Sequence, residues 1–359
     1  MFVFIEMVHT RFIAGVHRYN TSKRTTRCDR FNGVRNAVVT IKRPISIPFA
    51  GVGARLPAFF PSVSSIKTNF SPLDYIEVLM ASGTQQFLIS AYDISEPSED
   101  DQMAIAIRSA LDGGRIVLLD SGNYESYWRR DSNWTQTRFW QVLKAHDWDV
   151  AFSFDKFCMG QEASQNCAKQ IADSYIEDQL QRPGCALLPI VHGSTEDLPV
   201  LCREVASLVN PMLIAVPERE LGEGILARLD TLQRIRQELN HLGAYYPLHL
   251  LGTGNPWSIL LYTAAGADTF DGLEWCQTVV DPQTAILLHF QQRELIQRQL
   301  IPPGTHSYDE STMLHNLLFY RQWMQELQTA TASKSLRGYI RTRLAAPVAS
   351  RVETVLHEH

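Results

Sequence analysis

The chain has 359 residues, of which 45% are hydrophobic and 20% charged, enough apolar side chain to build one large globular domain or two ordinary ones. No apolar run approaches the ~18 residues that a membrane-spanning helix needs. The leading MFVFIEMV is too short for a signal-peptide core and is broken by Glu6, and six cysteines scattered without a CxxC pair point to reduced thiols in a cytoplasmic protein. The net charge of -5 is uneven: residues 1–43 hold nine Lys or Arg against two acids, Glu6 and Asp29, so that this arm is +7 and the remainder of the chain -12. A basic arm on an acidic body reads either as a phosphate-binding segment or as a solvated leader.

Beyond the arm, short β-rich runs alternate with longer amphipathic stretches. The expected strands are Gln86–Ser90, Arg115–Leu119, Val150–Phe154, Leu187–Val191, Met212–Val216, Leu248–Leu251 and Ala267–Phe270, with either Ala37–Ile41 or the SIPFAGV run supplying the first. Helices are expected over Asp101–Leu111, stopped by Gly113 and Gly114, over Ser164–Leu180, over Gly224–Leu239 with an apolar stripe of Ile225, Leu229, Leu232, Ile235 and Leu239, over Pro256–Ala265 and over His315–Ala330. About eight such β/α units, with no GxGxxG after a first strand and no P-loop, predict a (β/α)₈ barrel with a helical C-terminal extension rather than an open doubly wound sheet. The division that follows is a basic arm over 1–43, a barrel with C-terminal helices over 44–345, and a tail over 346–359.

Active sites of such barrels lie at the C-terminal ends of the strands. There the sequence places Asp120, Asp155, His192-Gly193, Gly252 and Asp271-Gly272. One aspartate after a strand is commonly a turn former or helix cap, and a lone histidine or Tyr124 is commonly packing. Three carboxylates on one rim are harder to explain that way, because each costs desolvation energy. Such a group suits either chemistry at an anomeric carbon, with one carboxylate as nucleophile and another managing protons, or a divalent metal. Residue type and spacing leave that choice open.

LDSGNYE (119–125), FSFDKFC (152–158), PIVHGS (189–194), AVPERELGEG (215–224, in its second half), HLLGTGNP (249–256), GADTFDG (266–272) and LHNLLFYRQWMQEL (314–327) resemble, in order, the signature segments of the tRNA-guanine transglycosylases, over residues 45–340. That family builds a (β/α)₈ barrel and exchanges guanine in nucleic acid for a 7-deazaguanine. The resemblance implies Asp271 as the nucleophile that bonds C1′ and Asp120 as general acid/base. It further implies Asp155 and His192 reading the purine edge, Tyr124 stacking on its face, and Ser121, Gly122, Gly193, Leu251 and Gly252 lining the base pocket.

The departures from the family pattern are specific. His192 replaces a glutamine, Pro217-Glu218-Arg219 replaces Gly-Gly-Leu, and Gly272–Cys276 replaces a segment by which the tRNA enzymes read the anticodon loop. The family's three zinc cysteines have no counterpart; of its ligands only the histidine is matched, by His315, with Cys276, His289 and His306 as the nearby substitutes. No cofactor is therefore expected. The expected partners are a 7-deazaguanine base and nucleic acid, contacted by Arg129 and Arg130 beside Trp128 and Trp134, with no membrane and with a homodimer or accessory subunits as further partners. Because the departures fall on tRNA-reading parts, DNA is favoured as the polymer. The alternatives are a divergent tRNA enzyme and a non-catalytic nucleic-acid-binding subunit, the latter disfavoured by retention of both Asp120 and Asp271.

Overall fold

The computed structural model describes residues 41–49, 51–94, 101–155, 164–302, 304 and 306–356. The basic arm before Ile41, including nearly all of Ala37–Ile41, lies outside the described residues. Eight parallel strands form the centre: β1 (Ala58–Val63), β2 (Gln86–Ser90), β3 (Ile116–Asp120), β4 (Val150–Phe152), β5 (Ala186–Leu188), β6 (Ile214–Pro217), β7 (Leu248–Leu251) and β8 (Thr269–Gly272). Each lies beside its neighbours in sequence, and β8 pairs with β1. The circle closes just past β5, where Val191 N donates to Ala215 O (2.8 Å) and Ala215 N to Pro189 O (2.9 Å). The chain is thus a (β/α)₈ barrel, with helices crossing outside between successive strands.

Residue alternation along each strand explains the two cores. Phe87 and Ile89, Val117 and Leu119, Ile214 and Val216, Leu248 and Leu250 point outward and pack under the helices. Phe60, Leu88, Ile116, Leu118, Val150, Phe152, Leu188 and Ala215 point inward and fill the barrel. The helices start and stop where local chemistry dictates. Asp101 caps Gln102–Asp112 by accepting from Ala104 N (2.9 Å), and Gly113 follows its last residue. Asn255 caps Pro256–Ala265, which ends at Gly266 in the left-handed region (φ +108°). In Ile225–Asn240 the stripe Leu229, Leu232, Ile235 and Leu239 is wholly buried, each leucine stabilising the fold by about 1.5–3 kcal/mol.

Two expectations are corrected. The SIPFAGV run is no barrel strand: Ser46–Phe49 and Val52–Arg55 form an antiparallel hairpin whose Ile47, Phe49 and Ala54 join the inner core. The first strand is Ala58–Val63, unexpected because Pro61 interrupts its apolar run and proline seldom sits inside a sheet. Here Pro61 is the last residue laddered to β8, opposite Gly272, and pairing with β2 begins at Ser62. At the other end of the chain, helix Tyr308–Ala332 is tied to the barrel through Asn316, which donates to Trp275 O and Thr278 O and accepts from Val280 N. The region read as a tail holds helix Ala346–Val355, with Val352 buried and Val355 O bonded to Gln233. Among the described residues no helix is long and apolar enough to cross a membrane.

Candidate active site

The inward-facing register that is apolar at the base of the barrel turns polar at the C-terminal ends. Two residues beyond Phe60, Leu88 and Leu118 on their strands stand Ser62, Ser90 and Asp120; two beyond Ile190 stands His192; and Asp271 ends the inward face of β8. Asp120, Asp155, His192 and Asp271 thus meet at one mouth, with Asp120 within electrostatic reach of both Asp155 and Asp271.

Asp271 is nearly buried and is held by three hydrogen bonds. Ser62 Oγ donates to Oδ2 (2.8 Å), while Gly252 N (3.0 Å) and His249 Nε2 (3.1 Å) reach Oδ1. The other ring nitrogen of His249 meets Thr269 Oγ1 (2.8 Å), which fixes the ring's orientation. Gly252 has φ +74°, a left-handed conformation that glycine adopts freely and that turns its N–H onto Asp271. A carboxylate fixed in place by three hydrogen bonds suits a nucleophile.

Asp120 is placed differently. Burial drives its carboxyl up to about 7, helped by the charges of Asp271 and Asp155 and resisted by the hydrogen bond from Gly122 N to Oδ2 (3.0 Å). Near neutral pH it therefore exchanges a proton readily, as a general acid/base must. The turn after it requires Gly122 (φ +83°): a Cβ there would lie 2.7 Å from Tyr92 N. Ser121 is buried, with its carbonyl accepting from Trp134 Nε1 (3.0 Å). Tyr124, the second residue of helix Asn123–Arg129, is 40% exposed, and Asn123 Nδ2 donates to Asp155 O, joining the ends of β3 and β4.

His192 lies between two carboxylates. Nε2 meets Asp155 Oδ1 at 2.5 Å and Nδ1 meets Glu220 Oε1 at 2.6 Å. Burial pushes the ring toward the neutral form, but these two bonds and charges outweigh it and hold the ring up at about 9. The ring is then an imidazolium that donates to both carboxylates. His192 thus stands at the mouth as expected, and there it holds Asp155 and Glu220 in place. Gly193 N completes the hold on Glu220 (3.1 Å to Oε2), and a Cβ on Gly193 would crowd Leu201. Leu251 ends β7 half-buried beside the inner core.

Several residues of this mouth were not among the expected site residues. Glu125 is buried between Ser64 Oγ (2.5 Å) and Ser90 Oγ (2.6 Å), and burial together with the charges of Asp93 and Asp120 pushes it up to about 8. Glu274 fits a notch that two glycines leave open: a Cβ on Gly254 or Gly272 would collide with its carboxylate. Burial, then the charges of Asp271 and Glu218, raise it to about 7. His249 and Glu220 were readable in principle, the first as the inward-facing neighbour of Leu251 and the second as an acid just past the end of β6.

The basic candidates fall into two groups. Arg129 reaches Ser65 Oγ (2.8 Å) and Arg130 ends its helix at φ +55°, both exposed beside the mouth. Trp134, by contrast, is buried against Tyr92 and offers no surface. Arg341 and Arg343 pair with Glu353 and Glu326, and Arg43 is locked to Asp268. The residues suggested for zinc do not converge. Both nitrogens of His315 are engaged by backbone, accepting from Leu300 N and donating to Val280 O. His289 caps a 3₁₀ turn, His306 pairs with Glu310, and Cys276 Sγ bonds Leu273 O. The described residues do not fit that zinc site. Compared with known protein families and with curated proteins, the chain matches none.

Proposed function

We propose that the chain is a base-exchanging N-glycosyl transferase that replaces guanine in nucleic acid by a 7-deazaguanine, with DNA as the favoured polymer. The observation that carries this reading is the split between two carboxylates of one mouth: Asp271, held by three hydrogen bonds, and Asp120, raised to about 7. Opposite environments assign opposite roles, nucleophile and proton carrier.

In the first step a carboxylate oxygen of Asp271 forms a bond to C1′ as the C1′–N9 bond breaks. The electron pair leaves with the base, and Asp120 supplies the proton that makes it neutral guanine. In the second step the incoming 7-deazaguanine gives its N9 proton to the Asp120 carboxylate, bonds C1′ and releases Asp271. The target base must leave its stack to reach the mouth. Tyr124 offers a ring face to it, and Asp155, fixed by His192, supplies an acceptor for the N–H groups of a guanine-like edge. No step requires a metal or a second cofactor.

Nucleoside mass spectrometry of DNA and tRNA from cells expressing the chain with a 7-deazaguanine supply tests the reading. The deazaguanine is expected in DNA. Its appearance in tRNA alone would transfer the activity to the alternative polymer, and its absence from both would contradict the reading.

A further inference from the structure

The helix Asn123–Arg129 carries three aromatic side chains that the protein interior does not absorb. Tyr127 is 73% exposed and Trp128 47%, the largest exposures among the described aromatic residues. Their rings meet edge to face (5.6 Å between centroids), and Tyr124, at the mouth, lies 6.4 Å from Trp128 in the same manner. The three therefore form a continuous ledge running outward from Asp120.

The ledge is also cationic. Lys67, in the loop after β1, places Nζ 3.5 Å from the Trp128 ring centre, and its carbonyl is anchored by Gln277 Nε2 (3.1 Å). Arg129 ties the helix to the same loop through Ser65, and Arg130 follows at its end. This matters because the mouth itself gathers the carboxyl groups of Asp120, Asp155, Glu125, Asp271 and Glu274, which do not attract phosphate in either protonation state. A strand entering it needs attraction immediately outside. Exposed ring faces interleaved with Lys and Arg suit unpaired bases and their phosphates; paired bases inside a duplex present no free face to such rings.

We propose that Tyr127 and Trp128, with Lys67, Arg129 and Arg130, form the binding ledge for the unpaired nucleotide next to the one whose base enters the mouth. The assignment to a neighbouring nucleotide rests on the base-exchange reading of the mouth. It makes the substrate a single strand, or a duplex opened at the target, rather than closed duplex.

The test uses a labelled single-stranded oligothymidine carrying one central guanosine, and the same strand with an abasic unit beside that guanosine. Anisotropy titrations compare the wild type, Tyr127→Ala/Trp128→Ala and Tyr127→Phe/Trp128→Phe. Each lost ring is expected to weaken binding roughly 10-fold, while the Phe pair binds nearly as the wild type does. The abasic neighbour should cost the wild type about 10-fold and the Ala pair nothing more. Equal binding by the Ala pair, or a wild type indifferent to the abasic neighbour, overturns the ledge. Ledge-dependent binding without any covalent product at Asp271 keeps the ledge and overturns the base-exchange reading instead.

Discussion

Asp268 and Asp271 stand three residues apart, at the two ends of β8, and the barrel treats them in opposite ways. Asp268 is fully buried at the base and surrounded by cations and donors: Arg43 Nε (2.7 Å), Arg236 Nη2 (3.1 Å), Tyr245 OH (2.8 Å) and Leu248 N (2.8 Å). Asp271 at the mouth has Ser62, His249 and Gly252 as partners, no arginine or lysine among its hydrogen-bond partners in the described residues, and lies within electrostatic reach of Asp120 and Glu274. At the base the charge is balanced and hydrogen-bonded, which locks elements far apart in sequence. At the mouth like charges are crowded into a partly dry site, and the cost appears as raised carboxyl pKa values. The contrast follows the rule for enzymes of this architecture, whose stabilising residues lie at the N-terminal ends of the strands and whose active sites lie at the C-terminal ends.

Four perturbations sharpen the contrast. The largest effect is expected at the mouth. Asp120→Asn should slow base exchange by about 10²–10⁴-fold with little change in stability, measured as single-turnover rate. In the wild type the first step should fall as pH rises above about 7, where Asp120 loses its proton, and the variant should lack that limb. At the base, Asp268→Ala leaves Arg236 buried without its partner and should destabilise the fold by about 3–5 kcal/mol, read from denaturant midpoints, while the protein that remains folded keeps its exchange rate.

The third effect is a pH dependence of stability. Glu125 titrates near 8 in the folded chain and near ~4.3 when unfolded. The native state therefore holds the extra proton, and stability falls as pH rises from about 4 toward 8. Asp120 and Glu274 add to this fall in the same direction. His192 adds to it between about 6.5 and 9, because its folded value is raised and the stabilisation it gives below the unfolded value is lost on deprotonation. Glu125→Gln should leave the melting temperature nearly unchanged at pH 5 and raise it at pH 8. An unchanged slope would remove Glu125 as a cause. The smallest effect concerns metal. Chelator-washed protein should carry no stoichiometric zinc and melt as untreated protein does, because His315 and Cys276 are engaged elsewhere. About one zinc per chain by elemental analysis would contradict this.

The legible parts of the fold were those governed by local rules. Gln86–Ser90, Leu248–Leu251 and Pro256–Ala265 occur with the expected bounds, since uninterrupted apolar runs and the Asn255 and Gly266 signals act within a few residues. The strand end at Asp120 was readable for the same reason. The first strand was hidden by Pro61, whose tolerance depends on where the ladders to β8 and β2 meet, a tertiary fact. The bridging of His192 by Glu220 was hidden because the two residues are joined only when β5 and β6 close the barrel. Glu274 was hidden because its notch is made by two glycines on different strand ends. Spacing along the chain brings Asp120 and Asp271 to one rim, but which of them holds a proton follows from burial and from donors contributed by Ser62, His249 and Gly252.

The central claim is that Asp271 bonds C1′. Intact-protein mass spectrometry after incubation with a guanosine-containing single strand, with no incoming base supplied, tests it most directly. The account predicts a denaturation-resistant adduct whose mass is that of the protein plus the strand less guanine. The adduct should be absent in Asp271→Asn and still formed in Asp268→Asn if that variant folds. No adduct in the wild type, or undiminished base exchange by Asp271→Asn, would contradict it.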